Sequence, residues 1–89
     1  MKLAELRVRE EITGILLARV WNNNWKGHIG EIWVESEMIG EKTIINCYYS
    51  NILFICLVVS EDRILQFKVA PVGQGLVQLR WLLEQIKKR

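Results

Sequence analysis

The run from Ile52 to Val59, Ile-Leu-Phe-Ile-Cys-Leu-Val-Val, is apolar throughout and is bounded by Ser50-Asn51 on one side and Ser60-Glu61-Asp62 on the other. A run this short, rich in Ile, Val and Phe and closed by turn formers, predicts a strand covered on both faces. Before it, strands are expected over about Ile29 to Met38 and Thr43 to Tyr49, with a turn at Gly40-Glu41. After it, a further strand is expected over about Ile64 to Ala70, and Pro71 and Gly73 stop the sheet. From Gly75 onward, Leu76, Leu79, Leu83 and Ile86 recur at helical spacing, with Arg80, Glu84, Lys87 and Lys88 opposite. That pattern predicts an amphipathic closing helix.

The beginning of the chain is less regular. From Met1 to Glu11, Leu3, Ala4 and Leu6 lie among charged residues, a pattern compatible with a short amphipathic helix. Leu6 and Val8 also alternate with Arg7 and Arg9, which leaves an extended start open. From Ile12 to Trp21, Gly14 and the β-branched residues favour a first strand over a continued helix. Asn22-Asn23-Asn24 and Gly27 then form a loop. The expectation is a single α+β domain over residues 1–89. It has a five-stranded, mainly antiparallel sheet, a short N-terminal helix and an amphipathic C-terminal helix, both helices on one face.

Two-residue loops fix which residues share a face. With loops at Gly40-Glu41, Ser50-Asn51 and Glu61-Asp62, one face collects Ile32, Val34, Met38, Ile45, Cys47, Tyr49, Ile52, Phe54, Cys56, Val58, Leu65, Phe67 and Val69. This is the expected inner face. The other collects Glu31, Trp33, Glu35, Glu37, Ile44, Asn46, Tyr48, Leu53, Ile55, Leu57, Val59, Ile64, Gln66 and Lys68. Leu53, Ile55, Leu57 and Val59, flanked by Trp33, Tyr48 and Ile64, then form an apolar stripe that two helices on the opposite side leave open. Such stripes mark interaction surfaces. The alternative is that the N-terminal helix crosses over to cover it.

Composition sharpens that expectation. The 89 residues are 51% apolar and 25% charged, so the surplus apolar content has to enter a core or an interface. A chain of this size folds without disulfide or metal staples, and no cofactor is implied. The net charge of +2 does not by itself imply nucleic acid. The basic end, Lys87-Lys88-Arg89, is the ordinary complement to a helix dipole. The uncharged stretch from Thr43 to Ser60 contains Ser50-Asn51 and reads as a hairpin, not a membrane span. The start lacks the continuous apolar segment of a signal peptide, and a cytoplasmic location is expected.

Candidate chemistry is thin. His28 is the single histidine, without a metal-ligand cluster around it. No serine or threonine lies in a nucleophile motif. Cys47 and Cys56 are expected on one face, diagonal to each other and reduced in the core. Glu31, Glu35 and Glu37 alternate in the manner of a solvated strand or a salt-bridged rim, with Arg19 a candidate partner for Glu31. Gly73-Gln74-Gly75 offers amides at a helix start but lacks a dinucleotide or P-loop fingerprint. Catalytic, metal and cofactor sites are therefore not expected. Trp21, Trp25, Lys26 and His28 form the one alternative, because aromatics interleaved with cations stack on single-stranded bases. Trp21 and Trp25 can equally close a hairpin.

Glu11-Ile12-Thr13-Gly14-Ile15-Leu16-Leu17 and Gly75-Leu76-Val77-Gln78-Leu79-Arg80 resemble the corresponding ends of the Roadblock family of dynein light chains and bacterial GTPase regulators. The resemblance implies dimeric scaffolding without catalysis. The family's long helix between its second and third strands has no counterpart in Ser36 to Lys42. From the residues themselves, the expected function is a small non-enzymatic interaction or adaptor protein that self-associates, as a dimer, through the apolar sheet face or binds a protein partner there. The alternative is a small nucleic-acid-binding module that uses Trp21, Trp25, Lys26, His28 and the basic carboxyl end, Lys87-Lys88-Arg89.

Overall fold

Four short turns string five strands into one antiparallel meander in which sequence neighbours are always spatial neighbours. In the computed structural model, which describes residues 3–61, 63–69 and 75–88, helix α1 (Leu3–Val20) precedes β1 (Trp25–Ile29), β2 (Ile32–Ile39), β3 (Lys42–Tyr49), β4 (Ile52–Ser60) and β5 (Arg63–Val69). Helix α2 (Leu76–Lys87) closes the chain. The α+β class, the five-stranded antiparallel sheet and the two terminal helices agree with the sequence reading. No described helix is long and apolar enough to cross a membrane.

The start differs in detail. Residues 12–20 continue the first helix instead of forming a strand. Glycine inside a helix costs roughly 1 kcal/mol relative to alanine. Burial of Ile12, Leu16 and Val20, all fully inaccessible, returns roughly 1.5–3 kcal/mol apiece. Tertiary burial therefore outweighs local propensity. The first strand is instead Trp25–Ile29, within the expected loop, and it turns into β2 at Gly30-Glu31. Gly30 has φ +61°, and a Cβ there would collide with the Gln85 carbonyl oxygen. The same carbonyl accepts a 2.9 Å hydrogen bond from the Glu31 amide, so this hairpin docks directly on the end of α2.

Both helices lie on one face of the sheet. Ile12, Leu16 and Val20 from α1 and Leu79, Leu82 and Ile86 from α2 form one core with Ile29, Ile32, Val34, Ile45, Cys47, Ile55, Leu57 and Val59. Arg9 ties α1 to β5: its Nη1 donates to the Phe67 carbonyl at 3.2 Å, and its guanidinium lies 4.9 Å from the centre of the Phe67 ring. Lys87 pairs with Glu11 between the helices, an exposed contact of small energetic consequence. Tyr49 meets Phe54 and Trp81 edge-on, and Phe54 and Trp81 lie tilted against each other, in an aromatic cluster where β3 and β4 meet α2.

The β2–β3 register is the one the Gly40-Glu41 turn dictates, from Ile39 opposite Lys42 to Trp33 opposite Tyr48. At Ser50-Asn51 both residues have positive φ, as a type I′ hairpin turn requires. Next to it Tyr49 faces Ile52 and Tyr48 faces Leu53, but Cys47 faces Ile55. Phe54 is thus the extra residue of a β-bulge, and every later position of β4 changes face. A second irregularity between β4 and β5 leaves Leu65 unpaired and keeps Phe67 opposite Leu57.

Candidate functional site

The bulge overturns part of the expected interaction stripe. Ile55, Leu57 and Val59 are buried under the helices, with at most 1% of their surface accessible, and belong to the core. Cys56 and Val58, expected inside, take the opposite face. Because β4 is apolar at both parities, burial alone could not fix its register. The bulge directs Phe54 towards Trp81 and Tyr49 while Ile55, Leu57 and Val59 fill the core, so one strand supplies more bulk to the helix side than strict alternation permits.

The face without helices is built from cross-strand rows. One row runs His28, Trp33, Tyr48, Leu53; the next Lys26, Glu35, Asn46, Cys56, Lys68; the third Glu37, Ile44, Val58, Gln66. The middle of the face is therefore apolar through Trp33, Ile44, Tyr48, Leu53, Cys56 and Val58. Carboxylates lie to one side, on β2, and Lys68 lies to the other, on β5. Leu53 is 44% exposed; Trp33, Ile44, Tyr48, Cys56 and Val58 are half-buried by one another and by their neighbours. Ile64 is exposed near the β4–β5 turn, opposite Val59, and stands apart from these rows.

Trp33 is held in place on this face. Its indole Nε1 donates to Glu35 Oε2 at 2.8 Å, and His28 meets its ring edge-on with centroids 5.0 Å apart. Beside it, Asn24, Lys26, Glu35, Ser36, Glu37, Ile44 and Asn46 line a depression of about 400 Å³. The rim of that depression is fixed by backbone contacts. Ser36 Oγ donates to the Asn23 carbonyl at 2.7 Å and accepts from the Trp25 amide at 3.0 Å. Asn24 Oδ1 accepts from the Met38 amide at 2.7 Å. Asn23 and Asn24 thereby cap the sheet edge, the Asn23 Nδ2 donating to the Trp21 carbonyl at 3.1 Å.

The four residues of the nucleic-acid alternative are not brought together. Lys26 and His28 point to the open face, whereas Trp25 lies on the helix side, its indole over Gly27 and the Arg19 guanidinium 5.9 Å from its ring. Trp21 is exposed after the end of α1. Arg19 is therefore engaged with Trp25 and not set opposite Glu31 on a strand. A period of two, Trp-Lys-Gly-His-Ile, was present in the sequence as the signal for this split.

Cys47 and Cys56 are both free thiols, but on opposite faces. Burial, reinforced by the proximity of Cys56, pushes the Cys47 thiol up to about 12. Cys56 is half-buried in the open face. Of the glycine-rich candidate before α2, Gly73 and Gln74 lie outside the described residues; Gly75 caps the helix with φ +108°. Lys88 is exposed after α2, and Arg89 lies outside the described residues. Among the described residues, no three His, Cys, Asp or Glu side chains gather as a metal-binding group.

No known protein family, curated protein or solved structure matches the chain. The two stretches that resemble the Roadblock family lie on the helices of an uninterrupted β-meander, with a two-residue turn at Gly40-Glu41 between β2 and β3.

Proposed function

We propose that this protein is a small, non-enzymatic interaction module that self-associates through the helix-free face of its sheet. The observation that carries this reading is the asymmetry of the two faces: both helices lie on one side, and the centre of the other is Trp33, Ile44, Tyr48, Leu53, Cys56 and Val58. A half-exposed aromatic and aliphatic centre with a polar rim has the composition of a protein interface. The fixed orientation of Trp33 supports it further, because a pre-positioned aromatic anchor loses little side-chain freedom on binding.

The test is the mass in solution by light scattering across roughly 1 to 100 µM, the range in which a modest dimer dissociates. The full chain is expected to pass from monomer to dimer. Val58→Lys and Leu53→Lys are expected to abolish the dimer while leaving the far-ultraviolet circular dichroism unchanged, because a lysine there is solvated in the monomer and desolvated in the dimer. A chain that stays monomeric throughout, or a dimer indifferent to both substitutions, refutes the reading.

A further inference from the structure

The charges on the open face are segregated by strand, and that segregation discriminates among the ways a second copy can lie on it. Glu35 and Glu37 are on β2; Lys68 is on β5; between them β3 and β4 present Ile44, Asn46, Cys56 and Val58. Glu35, Asn46, Cys56 and Lys68 occupy one row, each directly opposite the next. Two identical sheets packed face to face are related by a two-fold axis in the plane between them. An axis perpendicular to the strands lays β2 on β2 of the other copy and brings the carboxylates together. An axis parallel to the strands but centred on β3 sets Glu35 over Cys56 and Lys26 over Lys68, a like-charge contact.

We infer that the second copy docks with its two-fold axis parallel to the strands and between β3 and β4, so that Glu35 of each protomer meets Lys68 of the other. This rests on the self-association proposed above and specifies its geometry. A rotation about that axis exchanges β2 with β5 and β3 with β4 while keeping each row at its own level. Ile44 then faces Val58 and Tyr48 faces Leu53 across the interface, giving an apolar centre, and the acid-base pair recurs on both sides. Packed sheets lie about 10 Å apart, a gap that a glutamate and a lysine reaching from opposite sides can span. Lys26, although next to Glu35 within its own chain, lies on β1, beyond the overlap.

The full-length chain tests this by charge reversal, with dimer dissociation constants read by analytical ultracentrifugation. Glu35→Lys and Lys68→Glu, each alone, set like charges against each other at both ends of the interface and are expected to weaken the dimer about tenfold or more. An equimolar mixture of the two variants restores both pairs in a heterodimer and is expected to recover most of the original affinity. Lys26→Glu should leave the constant unchanged. Glu35→Gln, which keeps an acceptor for Trp33, should remove the salt dependence of the dimer. An unmutated dimer that ignores the reversals, or a mixture no tighter than its components, overturns this geometry while leaving self-association through the face intact. A chain that never dimerises overturns both and leaves the face to a different occupant.

Discussion

The two faces of the sheet use similar apolar residues to different ends. On the helix side, Ile32, Val34, Ile45, Ile55 and Leu57 are wholly buried, and the nearby polar residues Thr13, Ser36, Thr43 and Gln85 are buried with them. On the open side, Trp33, Ile44, Tyr48, Cys56 and Val58 share their rows with Lys26, Glu35, Asn46, Gln66 and Lys68. The fully buried polar residues on the first side are neutral and small or amide-bearing, and the Arg9 guanidinium is held at its margin by the Phe67 carbonyl and ring, whereas those on the second are largely ionised. A core tolerates a hydroxyl that finds a backbone partner, as Ser36 and Thr13 do, but an ion needs water or an opposite charge. What separates core from surface here is the nature of the interleaved polar groups more than the number of apolar ones.

The sharpest way to break this comparison is at β4, where adjacent residues face opposite ways. Leu57→Ala should cost about 2–5 kcal/mol in urea denaturation, the range for emptying a packed leucine site. Val58→Ala, measured on the monomer at low concentration, should cost less than about 1 kcal/mol because its site opens to solvent. Equal costs would show that the bulge at Phe54 is misplaced.

The docking of the β1–β2 hairpin against α2 is the next largest effect. Gly30→Ala combines a left-handed backbone with a Cβ driven into the Gln85 and Ile86 carbonyls, and is expected to cost at least about 2 kcal/mol. Gly14→Ala is its counterpart in α1, where the glycine is helical and open space surrounds its Cα. That change should stabilise the protein by about 0.5–1 kcal/mol.

The two thiols sharpen the same contrast by their chemistry. Cys56 should react with a thiol reagent in the native protein well before Cys47, and Cys47 only on unfolding. Because burial raises the Cys47 thiol to about 12 from an ordinary 9.0, the folded state holds that proton more tightly than the unfolded chain does. This contribution to stability is intact below pH 9 and is lost as pH rises from 9 towards 12. Stability of the parent minus that of Cys47→Ala, followed by denaturant titration over this range, should therefore decline with rising pH. A flat difference would place Cys47 in contact with water.

Much of the sheet was legible because turns and alternation are local. Gly40-Glu41 and Ser50-Asn51 set the pairing of β2 with β3 and started that of β3 with β4, which put Trp33, Glu35, Glu37, Ile44, Asn46 and Tyr48 on the open face. The expected stripe failed at Ile55, Leu57 and Val59 for a definite reason. A strand apolar at both parities carries no preference between its faces, and a single inserted residue reverses it. The helical extension over residues 12–20 carried a fainter signal, Val8, Ile12, Leu16 and Val20 at intervals of four, which Gly14 and the β-branched residues obscured.

The sequence by itself determined the α+β class, the turns at Gly40-Glu41 and Ser50-Asn51, and the amphipathic closing helix. These follow from periodicity and from the φ preferences of a few residues, which act over a handful of positions. Only the tertiary structure decided that the first helix runs to Val20, that Trp25 and Lys26 part to opposite faces, and that Phe54 bulges so that Cys56 and Val58 stay outside. Each of those outcomes rests on what a residue packs against after the chain has folded, and that free energy, several kcal/mol over a few side chains, exceeds the fractions of a kcal/mol that separate local conformations.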